Sequence, residues 1–254
     1  IDRDKIRFMN KVRHLKKQFL SYKRILLKIS GEAFGKQGKG IDLQAVESIA
    51  KTLVDVRKNT KVEMAVVVGA GNLFRARYTE GTDVDRVTAD YIGMLGTIMN
   101  AMILQEAVER LGNHTRVMSA IPINNICEPF IRRRAIRHIE KGRMVILGGG
   151  TGNPFCTTDS AAALKAAELQ CEVLLKASNV DGIYNNDPKK NPDGKKLVKI
   201  TYQKAIERGL KVMDMEAFAR CQEANIPTIV FNFNNPDNIE RIVRGEKIGT
   251  LITS

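Results

Sequence analysis

Three short tracts carry the residue types that phosphate chemistry needs. They are Lys28-Ile29-Ser30-Gly31-Glu32, Gly69-Ala70-Gly71-Asn72 with Arg75 just beyond, and Gly148-Gly149-Gly150-Thr151-Gly152-Asn153. Each follows a short apolar run that reads as a buried strand: Arg24–Ile29, Val62–Val68 and Arg143–Leu147. Glycine lets the backbone approach a ligand closely, and successive N–H groups then face anionic oxygens. Lys28 and Arg75 add positive charge. A helix beginning near Ser160 would point its favourable dipole end at the same place. One glycine pair after a strand is an ordinary turn, and one strand-end lysine usually snorkels to water. Three such exits together point to a phosphorylated ligand. The tracts match neither GxGxxG nor GxxxxGK[ST], which removes the main support for a dinucleotide fold or a P-loop.

The elements that must position these tracts alternate along the chain. Helical periodicity marks Leu43–Lys58, Thr88–Leu111 with Asp90 in its first turn, Arg132–Lys141 with a basic outer face, Ser160–Gln170, Tyr202–Arg208, Met215–Asn225 and Asn238–Arg244. Further strands are expected at Thr115–Ser119, Val173–Ala177 and Thr228–Phe231, and a surface loop over Lys189–Lys196. Short apolar strands between helices imply a mostly parallel sheet covered on both faces, a three-layer α/β/α sandwich. In such sheets ligands bind beyond the carboxyl ends of the strands, where the three tracts lie. Lys176 sits at another strand exit. It is either a further cation of the site or a lysine that snorkels.

Composition excludes several classes. With 43% hydrophobic residues over 254, the chain can bury a core. The longest strand-like apolar runs, Met64–Val68 and Met144–Leu147, fall far short of the ~18 residues of a membrane span. Cys127, Cys156, Cys171 and Cys221 form no CxxC pair, and with three histidines they suggest neither a zinc site nor a disulfide scaffold, so a cytoplasmic, reducing location is expected. The formal charge of +13 is concentrated: residues 1–24 hold nine basic and two acidic residues. Ile6, Met9, Val12, Leu15 and Phe19 recur at helical spacing within this arm. The arm is read as residues 1–21, an extension that packs on its own or a neighbouring chain, contacts nucleic acid or an anionic membrane, or is a remnant of targeting or processing. Ile1 in place of Met fits a fragment or a processed chain. Aromatic residues make up 6% and tryptophan is absent, which is thin for a base-stacking surface, so nucleic acid is not expected as the primary partner.

Beyond the arm the sequence resembles a known family. YKRILLKISGE (Tyr22–Glu32), GAGNLFR (Gly69–Arg75), MLGTIMN (Met94–Asn100), MSAIPIN (Met118–Asn124), GTGNPFCTTDSAA (Gly150–Ala162), VDGIYNNDP (Val180–Pro188) and KVMD (Lys211–Asp214) are similar to the bacterial-type uridylate (UMP) kinases of the amino-acid-kinase superfamily. The VDGIYNNDP type is shared with glutamate 5-kinases, whereas the first and fifth tracts are particular to UMP kinases. The resemblance implies one kinase domain over 22–254, the reaction ATP + UMP → ADP + UDP in pyrimidine biosynthesis, Mg²⁺ held mainly by nucleotide phosphates, no dedicated metal-binding side chains, and a homohexamer. It implies that Lys28, Ile29, Ser30 and Gly31 face the ATP phosphates, and that Gly71 and Arg75 lie between the two phosphate groups. Ser178, Tyr184 and Asp187 would form the ATP nucleoside side. Ala70 would offer its N–H to UMP and Asp90 would bind the ribose hydroxyls. Thr151, Gly152, Asn153, Pro154, Phe155, Cys156, Thr157 and Thr158 would wrap the monophosphate, Asn153 and Thr158 nearest the base. Asp159 would orient the catalytic lysine.

Three departures from the family pattern stand out. Ala70 replaces the middle glycine of a triplet, which keeps its backbone donor if φ stays negative. Ser178 stands where threonine is more usual and keeps the hydroxyl. Thr82, Asp83 and Asp85 occupy a loop where the family often has Asn, so a GTP response does not carry over.

Overall fold

The computed structural model describes residues 20–36, 39–79, 81–185, 194–210 and 212–254. The basic arm up to residue 19, and Asp187, lie outside them. Among the described residues one nine-stranded sheet runs in the order β4-β3-β5-β2-β1-β6-β10-β11-β9. Its strands are β1 (Arg24–Ile29), β2 (Glu63–Val68), β3 (Thr115–Ser119), β4 (Glu128–Pro129), β5 (Met144–Gly148), β6 (Val173–Ser178), β9 (Lys199–Thr201), β10 (Thr228–Asn232) and β11 (Thr250–Thr253). A separate hairpin pairs β7 (Ile183–Tyr184) with β8 (Lys196–Leu197). All pairings in the large sheet are parallel except β10 with β11.

Period-two alternation divides the side chains between two cores. In β1, Ile25, Leu27 and Ile29 join one core and Leu26 the other. The first core is closed by α1 (Leu43–Thr60), α2 (Arg86–Arg110) and α7 (Asn238–Val243); the second by α3 (Arg132–Glu140), α4 (Thr158–Glu168), α5 (Tyr202–Glu207) and α6 (Met215–Glu223). The expected three layers are therefore present. Helix α1 is representative: Asp42 caps it by accepting from the N–H groups of Gln44 and Ala45, and Val46, Ile49, Ala50, Leu53 and Val56 form its buried stripe.

Three expectations need correction, and several strands are added. Helix α2 starts at Arg86 on the Asp85 cap, so Asp90 lies past the first turn and is not the acid that caps it. Lys196 belongs to a strand, because the chain returns from the turn-rich stretch to pair with Tyr184. Strands β4, β7, β8, β9 and β11 add to those expected; each is short, of two to four residues, and β11 follows Gly249 at positive φ. Last, α2 is apolar and long enough by composition to cross a bilayer, contrary to the reading from apolar runs alone. It packs instead on the sheet through Ala101, Leu104, Ala107 and Val108, while Tyr91, Ile92, Leu95, Met99 and Met102 stay exposed.

Candidate active site

The site forms where the chain changes direction across the sheet. Strand β1 is central, with β2 on one side and β6 on the other, so their carboxyl ends open into one crevice. The exits of β1 and β2 touch: a Cβ on Gly31 would come within 2.1 Å of the Gly71 backbone nitrogen. No other residue fits at position 31, and this contact brings Ser30, Gly31, Ala70 and Gly71 together. Ala70 does not adopt positive φ, so an alanine stands there without backbone strain. Its methyl is accommodated by Gly96 of α2, where an added Cβ would sit 2.9 Å away. Beneath the loop, Asn100 donates to the Gly69 carbonyl at 2.8 Å and to Asn72 Oδ1 at 2.8 Å. Both asparagines are fully buried, so this reciprocal pair fixes the second exit against α2.

The cations are arranged by strand register. Lys28 and Lys176 are direct partners across the parallel β1–β6 pair. Both lie on the face of Leu26 and Leu174, toward α4. Asp159, in the first turn of α4, receives both. Lys28 Nζ lies 3.0 Å from Oδ1, and Lys176 hydrogen-bonds Oδ2. Side-chain exposures of 12, 13 and 14% make this a largely desolvated group with one net positive charge. Burial pushes the Asp159 carboxyl up, but the two ammonium groups outweigh it and hold the carboxyl below its ordinary value. Burial lowers the Lys176 ammonium, Asp159 partly restores it, and the neighbouring Lys28 charge lowers it further. Lys176 is thus paired with Asp159 beside Lys28 and does not snorkel to solvent.

A cavity of about 370 Å³ joins Lys28, Ser30, Gly31, Ala70, Gly71, Arg75, Asp90, Cys156, Thr157, Thr158 and Asp159. A second, of about 350 Å³, holds Ile29, Ser30 and Ser178 and meets the first at Ser30. Thr151, Gly152, Asn153, Pro154 and Phe155 line neither. They form the loop between Gly150 and Cys156, which stands on Gly149 and Gly150 with positive φ. Tyr184 also lines neither; it sits in the β7–β8 hairpin, its hydroxyl donating to Asp181 at 2.6 Å. Arg75 is held by Glu32, and its Nε is buried without a hydrogen-bond partner. An incoming phosphate would compete with Glu32 for this guanidinium. The glutamate was visible in the first tract, but nothing in the sequence paired it with Arg75.

Asp90 organises the loop from α2. Its Oδ2 accepts the Phe155 N–H at 2.8 Å, and Arg86 Nε lies 3.0 Å from both oxygens. Arg86 also lies over the Phe155 ring, 5.6 Å from its centroid. Two oxygens offer about four acceptor sites, so capacity remains for ribose hydroxyls. Asp90→Asn should raise KM for UMP about tenfold or more, the scale of one charge-assisted hydrogen bond, while KM for ATP changes far less. Initial rates with each substrate varied in turn check this. Equal effects on the two substrates would remove Asp90 from the acceptor site.

Comparison with known proteins gives the chain its relatives. Residues 23–232 match the Amino acid kinase family. A chloroplastic uridylate kinase from Arabidopsis thaliana, PUMPKIN, is 51% identical over 235 residues, covering 92% of this chain and 69% of the relative. The UMP kinase of Bacillus anthracis has a similar structure, with a TM-score of 0.88 and 39% identity over 91% of this chain and 96% of that one. The UMP kinase of Ureaplasma parvum gives 0.85 and 35% over 91% and 99%, and the uridylate kinase of Archaeoglobus fulgidus 0.69 and 29% over 90% and 99%.

Proposed function

The chain belongs to the amino acid kinase family and, within it, to the uridylate kinases, and from that premise we propose that it moves the γ-phosphoryl group of ATP to UMP, yielding ADP and UDP for pyrimidine nucleotide biosynthesis. The observation that carries this reading is the pair of register-matched lysines sharing Asp159 beside two abutting glycine exits. The nucleophile is a UMP phosphate oxygen. A phosphomonoester has its second pKa near ~6 and is already largely dianionic at neutral pH, so no general base is needed. The barrier is repulsion between two polyanions and the charge that spreads over the transferred group. Lys28 and Lys176 offset that charge, and Asp159 keeps the two ammonium groups in place. Ser30, Gly31 and Gly71 contribute fixed dipoles, and Arg75 bridges the phosphates once it leaves Glu32.

Mg²⁺ supplies further charge neutralisation when it arrives with ATP. Asp159 faces two lysines, and the metal is proposed to be held mainly through the phosphates. Ile29, Ser178, Tyr184 and Asp187 are proposed for the ATP side, and the Thr151–Thr158 loop for UMP. The exposed apolar face of α2 supports self-association, which we take to be a homohexamer. Four unpaired thiols fit a reducing compartment, the cytoplasm or a chloroplast such as the Arabidopsis relative's name states.

The test is coupled ADP release with UMP, CMP, dUMP and amino-acid acceptors. Turnover with an amino acid and none with UMP would overturn the reading. Residues 1–21 are proposed to stand outside the kinase domain of 22–254. A chain starting at Ser21, whose N–H donates to the Val243 carbonyl at 2.9 Å, should keep kcat within about threefold, under ~0.7 kcal/mol in the barrier. Sedimentation of both forms reports any loss of assembly. A large fall in activity at unchanged assembly would place the arm in the active site.

A further inference from the structure

Asp214 caps helix α6, yet its contacts reach well beyond that helix. As a cap, Oδ1 accepts the Ala217 N–H at 2.8 Å. The same oxygen accepts the Ser160 hydroxyl at 3.0 Å, and Oδ2 accepts the Thr157 hydroxyl. Both hydroxyls belong to the start of α4, 54 and 57 residues earlier in the chain. Thr157 is itself the cap of α4, its oxygen accepting from the N–H groups of Asp159 at 3.0 Å and Ser160 at 3.1 Å.

A hydroxyl has one proton and two lone pairs. Both lone pairs of Thr157 are committed to the turn that carries Asp159, so its proton must point elsewhere, and Asp214 is where it points. Asp159 hangs from that turn and separates Lys28 from Lys176. The helices behind it leave little slack: Ala162, Ala163 and Ala166 of α4 are buried in the same core as Ala217, Phe218 and Cys221 of α6. Two helix N-termini are thereby set together with their positive dipole ends adjacent, an arrangement that Asp214 also offsets.

We propose that Asp214 is a positioning residue for phosphoryl transfer, holding Asp159 and its two lysines in register through the Thr157 hydroxyl. The inference rests on the uridylate kinase reading and deepens it. Asp214 lines neither of the two cavities. Its removal lets the first turn of α4 shift, and an error of about 1 Å at the reacting groups can cost on the order of a hundredfold in rate.

Asp214→Ser is the informative variant, because serine still caps α6 but its single short oxygen cannot also serve Thr157 and Ser160. Its kcat should fall tenfold or more, with KM for ATP and for UMP within about twofold of the parent and little change in Tm. A residue that only stabilised α6 would lower Tm and leave kcat of the folded enzyme intact. The double variant Asp214→Ser/Thr157→Val should be no slower than the worse single variant, since both break one chain of contacts. Should Asp214→Ser fail to fold, Thr157→Ser against Thr157→Val carries the test with Asp214 in place: the serine variant should retain several-fold more kcat. Parental kcat in folded Asp214→Ser, fully multiplicative losses in the double variant, or equal kcat in the two Thr157 variants would each overturn the proposal. These outcomes are distinct from failure of the parent enzyme to phosphorylate UMP, which would overturn the functional reading itself and this inference with it.

Discussion

Lys28→Ala should lower kcat by about a hundredfold or more, some ~2.7 kcal/mol in the barrier, which is the scale of losing one preorganised charge donor. The side chain reaches the cavity from the next-to-last position of β1, on the face toward α4, and stands 3.0 Å from Asp159. Folding should survive, because Asp159 keeps its bond to Lys176 and no buried carboxylate is left alone. The variant should also change how activity falls at high pH. Lys176 must stay protonated to act, and burial first, then the Lys28 charge, lowers the pH at which it loses its proton. With Lys28 gone that second influence vanishes, so the alkaline limb of residual kcat should move to higher pH. Coupled ADP release across the alkaline range measures both effects. A folded Lys28→Ala enzyme with near-parental kcat would remove this lysine from the mechanism.

What the sequence revealed and what it hid differ by the range of the interaction. The apolar run within Arg24–Ile29 and the stripe from Val46 to Val56 are local patterns, so the strand, the helix and the layer architecture were legible. The glycines at 31, 69 and 71 were legible as an exit motif, but the 2.1 Å approach that makes Gly31 irreplaceable comes from another strand. Lys176 stayed ambiguous for the same reason. Its role depends on parallel register with Lys28, and register between distant strands leaves no mark in either segment. Asp90 was placed in the first turn of α2 because the apolar pattern begins at Thr88. Asp85 caps the helix earlier, and Asp90 is left to hold the Phe155 N–H. Asp214 was seen as part of a tract and given no role, since a capping acid is common and only the fold shows which second helix it reaches.

Preference for UMP over CMP should be the largest effect of all, with kcat/KM differing by factors approaching ~10⁴. Uracil presents a carbonyl acceptor at position 4 where cytosine presents an amino donor. A pocket that hydrogen-bonds one pattern leaves buried groups unpaired against the other, and each such group costs about 1–3 kcal/mol. The proposed base-facing loop, Thr151–Thr158, contains no acid. Of the carboxylates that reach it, Asp214 is engaged by the Thr157 hydroxyl, and Asp90, which holds the Phe155 N–H, turns its remaining acceptor capacity to the ribose and not to the base. A charged acceptor for the cytosine amino group is therefore missing from the loop, while the Asn153 amide and the Thr158 hydroxyl can donate to a carbonyl; the Thr151 and Thr157 protons are committed to the Asn153 carbonyl and Asp214. The loop is also held in shape. Thr151 Oγ1 accepts the Asn153 N–H at 3.1 Å, Gly149, Gly150 and Gly152 take positive φ, and Phe155 does so as well at 63°. A rigid loop cannot rotate its donors away to admit cytosine, which turns the mismatch into a penalty and not a rearrangement. If Asp90 reads the ribose 2′-hydroxyl with its remaining acceptor capacity, dUMP should fall between the two, disfavoured by about tenfold or more. The measurement is kcat/KM for UMP, CMP and dUMP at fixed ATP and Mg²⁺, with Asp90→Asn as the companion variant. Comparable values for UMP and CMP would sink uridylate specificity and leave phosphoryl transfer standing; dUMP discrimination that persists in Asp90→Asn would move the ribose contact to another residue.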